Sequence, residues 1–170
     1  KHLKRFLIMS ASATGLPMPF ILADYLLFYP FVDTGTNDEQ TMTNSVTLPR
    51  YTDGKGVQMM AVSVAANSGT RPTFVVSYTN QDGTSGKTTP TCTLNTATAN
   101  GSIVSASATA AVSTGCFIPL ASGDSGVRSV ESVTFTSGTD VGLFALVLVK
   151  PLITSVLLEQ TAPTEVECVS

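Results

Sequence analysis

The 170-residue chain has few of the residue types on which most enzyme sites depend, with one histidine, three cysteines and no tryptophan. The histidine is His2, and the cysteines are Cys92, Cys116 and Cys168. An odd number of cysteines without a CxxC pair argues against a zinc site and against a disulfide framework. We interpret them as buried or neutral thiols in a reducing compartment, and a Cys92–Cys116 bridge is the alternative that the sequence leaves open.

Charge is also scarce, because Asp, Glu, Lys and Arg make up 12% of the chain, about half of the roughly 25% usual in globular domains. The net charge is −3, and it is distributed unevenly. All charged residues in residues 1–5 are basic, and all those in residues 151–170 are acidic: Lys1, Lys4 and Arg5 against Glu159, Glu165 and Glu167. The mildly acidic remainder predicts no nucleic-acid partner. A weakly repulsive surface suits a subunit that contacts neighbours.

Long apolar runs and nucleotide motifs are absent from the sequence. No run reaches eighteen apolar residues, so we expect no transmembrane helix and no membrane partner. The apolar stretch 6–9 is too short for the core of a signal peptide. The sequence also has no P-loop and no GxGxxG motif, so we expect no cofactor.

Two short motifs resemble functional sites and fail on inspection. Residues 123–126, GDSG, resemble the nucleophile segment of trypsin-like proteases, but the only histidine is His2, so we interpret them as a turn. Residues 33–39 resemble a calcium loop, but Asp38 and Asn44 occupy the positions where an EF-hand needs Gly and Glu. We expect a polar loop there, with a looser divalent site as the alternative. The sequence therefore predicts no enzyme, no catalytic residue and no metal site.

Alternating apolar residues and regular turns dominate the rest of the chain. Strands are predicted over residues 40–48, 56–65, 73–79, 88–95, 102–112, 116–120, 127–136, 141–149 and 152–158. The turn at residues 80–83, NQDG, predicts a hairpin, and Glu131 interrupts the alternation of its strand. Strands recurring every 10–15 residues or so are typical of an all-β fold, here an antiparallel β-sandwich of jelly-roll type.

The N-terminal region has a different pattern. We expect residues 1–20 to form an extended arm. The apolar spacing in residues 21–29 predicts a short helix that ends at Pro30. The alternative is that residues 21–29 form an irregular buried anchor. The predicted organisation is an arm and aromatic anchor segment (1–39), a β-sandwich domain (40–158) and an acidic tail (159–170). The aromatic cluster either caps the chain's own core or inserts into a neighbouring subunit. The interface candidates are Tyr25, Phe28, Tyr29, Phe31, Lys4 and Arg5.

Five segments in order resemble structural proteins of tailed bacteriophages. They are LADYLLFYPFVD (22–33), LPRYTDGKGVQMM (48–60), YTNQDGTSGKTT (78–89), FIPLASGDSGVRSVESVTF (117–135) and ALVLVKPL (145–152). The resemblance implies a non-enzymatic subunit of the virion, assembled in the host cytoplasm and associated with the capsid as a decoration or cement protein. We also expect other virion proteins as partners and a homo-oligomer.

Two other functions are compatible with the sequence. The first is a tail or fibre module that binds a host-surface glycan or receptor through the loops at one end of a sandwich. The second is a secreted hydrolase that uses Ser125, which the missing histidine and acid partners disfavour.

Overall fold

The computed structural model describes residues 5–97, 99–104, 106–107 and 115–167, which fold as an all-β protein with antiparallel strand pairing. Its strands are β1 (Arg5–Ile8), β2 (Met18–Asp33), β3 (Gln40–Thr41), β4 (Gln58–Ala65), β5 (Thr73–Asn80), β6 (Lys87–Thr88), β7 (Cys92–Leu94), β8 (Ile103–Val104), β9 (Ala106–Ser107), β10 (Val127–Ser137), β11 (Leu143–Leu157) and β12 (Thr164–Glu167). The prediction of an all-β antiparallel fold is confirmed.

The predicted short helix over residues 21–29 is wrong, because this segment lies within β2. Leu26, Tyr29 and Val32 are buried at three-residue intervals, a spacing that resembles a helix face. The strand does not alternate cleanly, and Phe31 has a φ of 57°, which interrupts the pleat. The described residues contain no helix that is long and apolar enough to cross a membrane.

The chain divides into two compact units, one formed by Tyr25–Lys150 and the other by Lys1–Asp24 together with Pro151–Ser170. We call the first the body and the second the terminal unit. Strands β2 and β11 contribute residues to both units.

The body contains two sheets. One has the strand order β3-β10-β5-β7-β9, with β6 also paired to β5, and the other has the order β2-β11-β4-β8. Phe74 of β5 and Phe135 of β10 meet Phe144 of β11, with ring centroids 5.8–6.4 Å apart. Because these rings come from both sheets, the core lies between the sheets, which is the arrangement of a β-sandwich.

Alternation predicts the buried residues of most body strands. In β5, Phe74, Val76 and Tyr78 are buried, as period-two patterning requires. Strand β10 differs, because its pairing with β5 shifts register between Val130 and Ser132, at Glu131. This bulge lets Val130 and Val133 both face the core, which clean alternation would forbid.

Several predicted strand limits change. Residues 116–120 form no strand, and residues 152–157 continue β11 rather than adding a strand. Pro90 separates β6 from β7, so residues 88–95 do not form one continuous strand, and β7 lies between β5 and β9. The loop from Tyr51 to Gly56 packs closely against Gly126, where a Cβ would collide with the carbonyl oxygen of Gly54.

The terminal unit contains a two-stranded ribbon in which β1 pairs with β12, with Arg5 opposite Glu167 and Ile8 opposite Thr164. The segment predicted as an extended arm therefore pairs with the segment predicted as an acidic tail. We call this pair of strands the terminal ribbon.

Candidate interaction surface

The aromatic interface candidates of β2 fall into two groups. Tyr25, Phe28 and Phe31 are 55%, 54% and 64% exposed, whereas Tyr29 is 3% exposed. Among the described strands β2 lies at one end of its sheet, so these three side chains follow an edge strand. We call Tyr25, Phe28 and Phe31 the exposed aromatic row.

Tyr29 instead fixes β2 to the body. Its hydroxyl donates to the side-chain oxygen of Asn44 at 2.7 Å and accepts from the backbone N–H of Val130 at 3.1 Å. Asn44 in turn donates to the carbonyl of Val130. Burial raises the pKa of Tyr29, and the hydrogen bond from Val130 opposes this shift. Tyr29 is therefore a core residue, as expected if the cluster caps the chain's own core.

The outer face of the four-stranded sheet is apolar. Strand β4 alternates buried Met59 and Ala61 with half-buried Met60 and Val62, so the latter pair point away from the core. Opposite them in the register lie Ala145 and Val147 of β11, and Ile103 of β8 lies beside Val62 and is half exposed. Val147 is buried, so we call the accessible members of this face, Met60, Val62, Ile103 and Ala145, the apolar outer face.

The outer face of the six-stranded sheet is polar, and its groups bond to one another. The carboxylate of Glu131 accepts hydrogen bonds from Ser77 at 3.0 Å, from Thr79 at 2.7 Å and from the backbone N–H of Gly86 at 3.1 and 3.2 Å. Glu131 therefore joins β10 to β5 and to the loop that follows β5. These bonds explain why an acidic residue lies in the middle of a strand.

The basic interface candidates belong to the N-terminal segment. The guanidinium of Arg5 lies 2.9 Å from a carboxylate oxygen of Glu165 and 3.8 Å from one of Glu167, and all three side chains are exposed. Lys4 lies outside the described residues. Arg5 is therefore paired across the terminal ribbon within one chain.

The GDSG segment forms part of the loop that leads into β10. Asp124 accepts hydrogen bonds from the Tyr78 hydroxyl at 2.6 Å and from the Asn80 side chain at 2.8 Å, and the Lys87 ammonium lies 3.8 Å away. The bonds from Tyr78 and Asn80 hold the pKa of Asp124 below its ordinary value. Burial, with Asp124 beside it, raises the pKa of Tyr78 to about 12.

The neighbouring Ser125 is likewise held through its backbone, because its N–H donates to the side-chain oxygen of Gln81 at 2.9 Å. The histidine that a serine nucleophile would need, His2, lies outside the described residues. The contacts of this loop therefore tie it to the hairpin that follows β5.

The loop at residues 33–39 closes on itself. A carboxylate oxygen of Asp33 accepts from the N–H of Gly35, and the Thr36 hydroxyl accepts from the N–H of Asp38. The Gln40 side chain bonds both the N–H and the carbonyl of Asp33. Within the residues that the structure describes, no group of three or more His, Cys, Asp or Glu is placed to hold a metal ion.

The cysteines of the body are free thiols. Cys92 is buried and Cys116 is half-buried, and they form no bridge with each other. Burial raises the pKa of the Cys92 thiol to about 11, and a hydrogen bond with Thr89 opposes that shift. Cys168 lies outside the described residues.

The loop between β10 and β11 contains a buried carboxylate, Asp140, that sequence patterns did not single out. Asp140 is 6% exposed and accepts from the backbone N–H groups of Ser68, Gly69, Thr70 and Val141 and from the Ser68 hydroxyl. Burial alone would raise its pKa, but these hydrogen bonds lower it to about 2. The only sequence signal was the glycine and serine content of residues 68–70.

Comparisons of the chain with protein-family models, with curated proteins and with solved structures found no match. The surfaces described above are therefore the basis for a functional hypothesis.

Proposed function

We propose that this chain is a non-enzymatic structural subunit of a bacteriophage particle, associated with the capsid as a decoration or cement protein, and that it works by packing against other protein subunits. The observation that carries the packing role is the exposed aromatic row, in which Tyr25, Phe28 and Phe31 are each more than half exposed along one edge strand.

The exposed aromatic row is costly to leave in water. Large aromatic side chains are the usual energetic centres of protein interfaces, where truncating one costs on the order of 2 kcal/mol or more. Three of them lie within seven residues of one strand, each more than half exposed. An edge strand also offers backbone groups to which a partner can hydrogen-bond.

The apolar outer face supports the same role. In a sandwich exposed to water on both sides, alternation normally makes both outer faces polar. Here only the six-stranded sheet follows that rule, and the four-stranded sheet presents Met60, Val62 and Ile103 instead. The exposed aromatic row and the apolar outer face belong to the same sheet, so one partner surface could contact both.

The two parts of the proposal have different support. The packing role is supported by the exposed aromatic row and the apolar outer face. The phage particle and the capsid position are supported by the resemblance of residues 22–152.

The packing role is tested by the double substitution Tyr25→Ser and Phe28→Ser. The isolated variant should keep its fold, because both side chains are exposed, but its incorporation into assembled particles should fall at least tenfold, since a tenfold loss needs only about 1.4 kcal/mol. Occupancy is measured by quantitative mass spectrometry of purified particles, and folding by circular dichroism.

The matched control is Val141→Ser, which removes another exposed apolar side chain of the body, in the loop between β10 and β11. It should be incorporated as well as the natural chain. Full occupancy by the Tyr25 and Phe28 variant would refute the packing role of the aromatic row.

A further inference from the structure

We infer that copies of this chain associate by exchanging the strands of the terminal ribbon, so that β1 of one copy pairs with β12 of a second copy in the register seen within one chain. This inference rests on the proposed function, because it names a second copy of the chain as one packing partner. Two copies can satisfy both ribbons by reciprocal exchange.

The size of the terminal ribbon makes it suitable for exchange. It joins four residues of β1 to four of β12, and among the described residues no third strand extends this sheet. A two-stranded ribbon of this length has little stability of its own. Exchange between copies would reproduce the same hydrogen bonds and ion pairs, so it carries little energetic cost.

The charges specify which strands can meet. All charged residues of residues 1–5 are basic and all those of residues 151–170 are acidic. Pairing β1 with β1, or β12 with β12, would therefore place like charges together, whereas β1 with β12 joins Arg5 to Glu165 and Glu167. Exposed ion pairs add little stability, but they select partners effectively. A second copy of this chain offers both complementary strands.

The connection to β1 is long enough for exchange. Residues 9–17 join β1 to β2, and nine extended residues can span about 30 Å. This connection is fastened to the other end of the chain by two bonds, from the N–H of Thr161 to the carbonyl of Ser10 and from the Gln160 side chain to the carbonyl of Ala11. Both bonds can also form between copies, because each joins the β1 side of the unit to the β12 side.

The terminal unit also exposes apolar surface that association would cover. Half of the exposed large hydrophobic side chains of the described residues lie in this smaller unit: Leu7, Met9, Met18, Ile21, Leu152, Val156 and Leu158. None of its residues belongs to the main hydrophobic core cluster. Bringing two terminal units together would remove part of this surface from water.

The test uses two charge-reversed forms of the full chain. The acidic form carries Lys4→Glu and Arg5→Glu, and the basic form carries Glu165→Lys and Glu167→Lys. Each form alone has like charges on both strands, so it should sediment as a monomer. An equimolar mixture should give a complex of twice the mass, with an association constant at least tenfold above that of either form alone and falling as salt is added.

A chain with all four substitutions is the matched control, because it restores opposite charges on the two strands. It should associate like the natural chain, and circular dichroism should show all forms folded, since the substituted side chains seen in the structure are exposed. A mixture that retains the monomer mass, or single forms that associate as strongly as the mixture, would overturn the exchange.

Failure of the strand exchange and failure of the proposed packing role can be distinguished by experiment. Adding Tyr25→Ser and Phe28→Ser to both charge-reversed forms should leave the mixed complex intact, because these residues lie outside the terminal ribbon. Mixed complexes together with full particle occupancy of the aromatic variant would leave the exchange standing and refute the packing role of the aromatic row. The opposite pair of results would refute the exchange alone.

Discussion

The body and the terminal unit differ in how they treat their apolar residues. The body buries a continuous core centred on Phe74, Phe135 and Phe144. The terminal unit buries Ile153 and Leu157 but exposes more large apolar side chains for its size. Folding stability should therefore reside in the body, and the terminal unit should contribute mainly to association.

The acidic residues of the two units differ in the same way. Asp124, Glu131 and Asp140 of the body each accept several hydrogen bonds from neighbouring loops and strands. Glu165 and Glu167 of the terminal unit are exposed and face Arg5. Carboxylates in the body hold its loops in place, whereas those of the terminal ribbon remain accessible to another chain.

The largest effect is expected at the aromatic core of the body. Phe144→Ala should lower the free energy of unfolding by about 3–5 kcal/mol, because it removes a buried ring that touches both sheets and leaves a cavity. Denaturant unfolding of the purified chain measures this loss. The same substitution at exposed Phe28 is the control and should change stability by less than about 0.5 kcal/mol. Equal losses at the two positions would contradict the placement of the core.

An intermediate effect is expected at Asp140, whose pKa of about 2 lies below its ordinary value of 3.8. Because folding lowers the pKa of Asp140, its ionised carboxylate stabilises the fold at pH values above the ordinary pKa. This stabilisation is lost as the pH falls from about 4 toward 2. It should amount to on the order of 1–2 kcal/mol at pH 7. Asp140→Asn should therefore be less stable than the natural chain at pH 7, and the difference should narrow below pH 4.

Unfolding free energies measured between pH 2 and pH 7 test this dependence. Ser68→Ala removes one of the donors to Asp140 and should give a smaller loss with the same trend. Stability curves of the natural chain and Asp140→Asn that stay parallel over this range would show that the carboxylate contributes no pH-dependent stability.

The smallest effect on stability is expected in the terminal unit. The double substitution Leu7→Ser and Leu158→Ser should change the free energy of unfolding by less than about 0.5 kcal/mol, because both side chains are more than half exposed. The same variant should associate more weakly in sedimentation at high protein concentration. A loss of several kcal/mol would show that these side chains support the fold and would remove the contrast between the units.

Strands with local signals were predictable from the sequence. Residues 73–79 alternate and lead into an NQDG turn, and they form most of β5. The sequence showed that Glu131 breaks the alternation of its strand, but it could not show why. The partners of Glu131, which are Ser77, Thr79 and Gly86, lie some fifty residues earlier in the chain. Bulges depend on the partner strand, so periodicity alone cannot place them.

The error at residues 21–29 has a similar origin. Leu22, Tyr25, Leu26 and Tyr29 fit a helix face, yet the segment pairs in a sheet with β11, more than a hundred residues later. Such a distant pairing overrides local preference. The pairing of β1 with β12 is more distant still, although the opposite charges of the two ends were a usable signal. Among the interface candidates, only packing could separate buried Tyr29 from exposed Tyr25 and Phe28.

The antiparallel terminal ribbon has a mechanical consequence. Arg5 lies opposite Glu167, so the first residue of β1 and the last residue of β12 lie at the same end of the ribbon. A pulling force applied at these two residues would open the hydrogen bonds one after another, like a zipper, instead of shearing them all together. The terminal ribbon would therefore yield under tension before β5 and β10, whose longer ladder lies within the core.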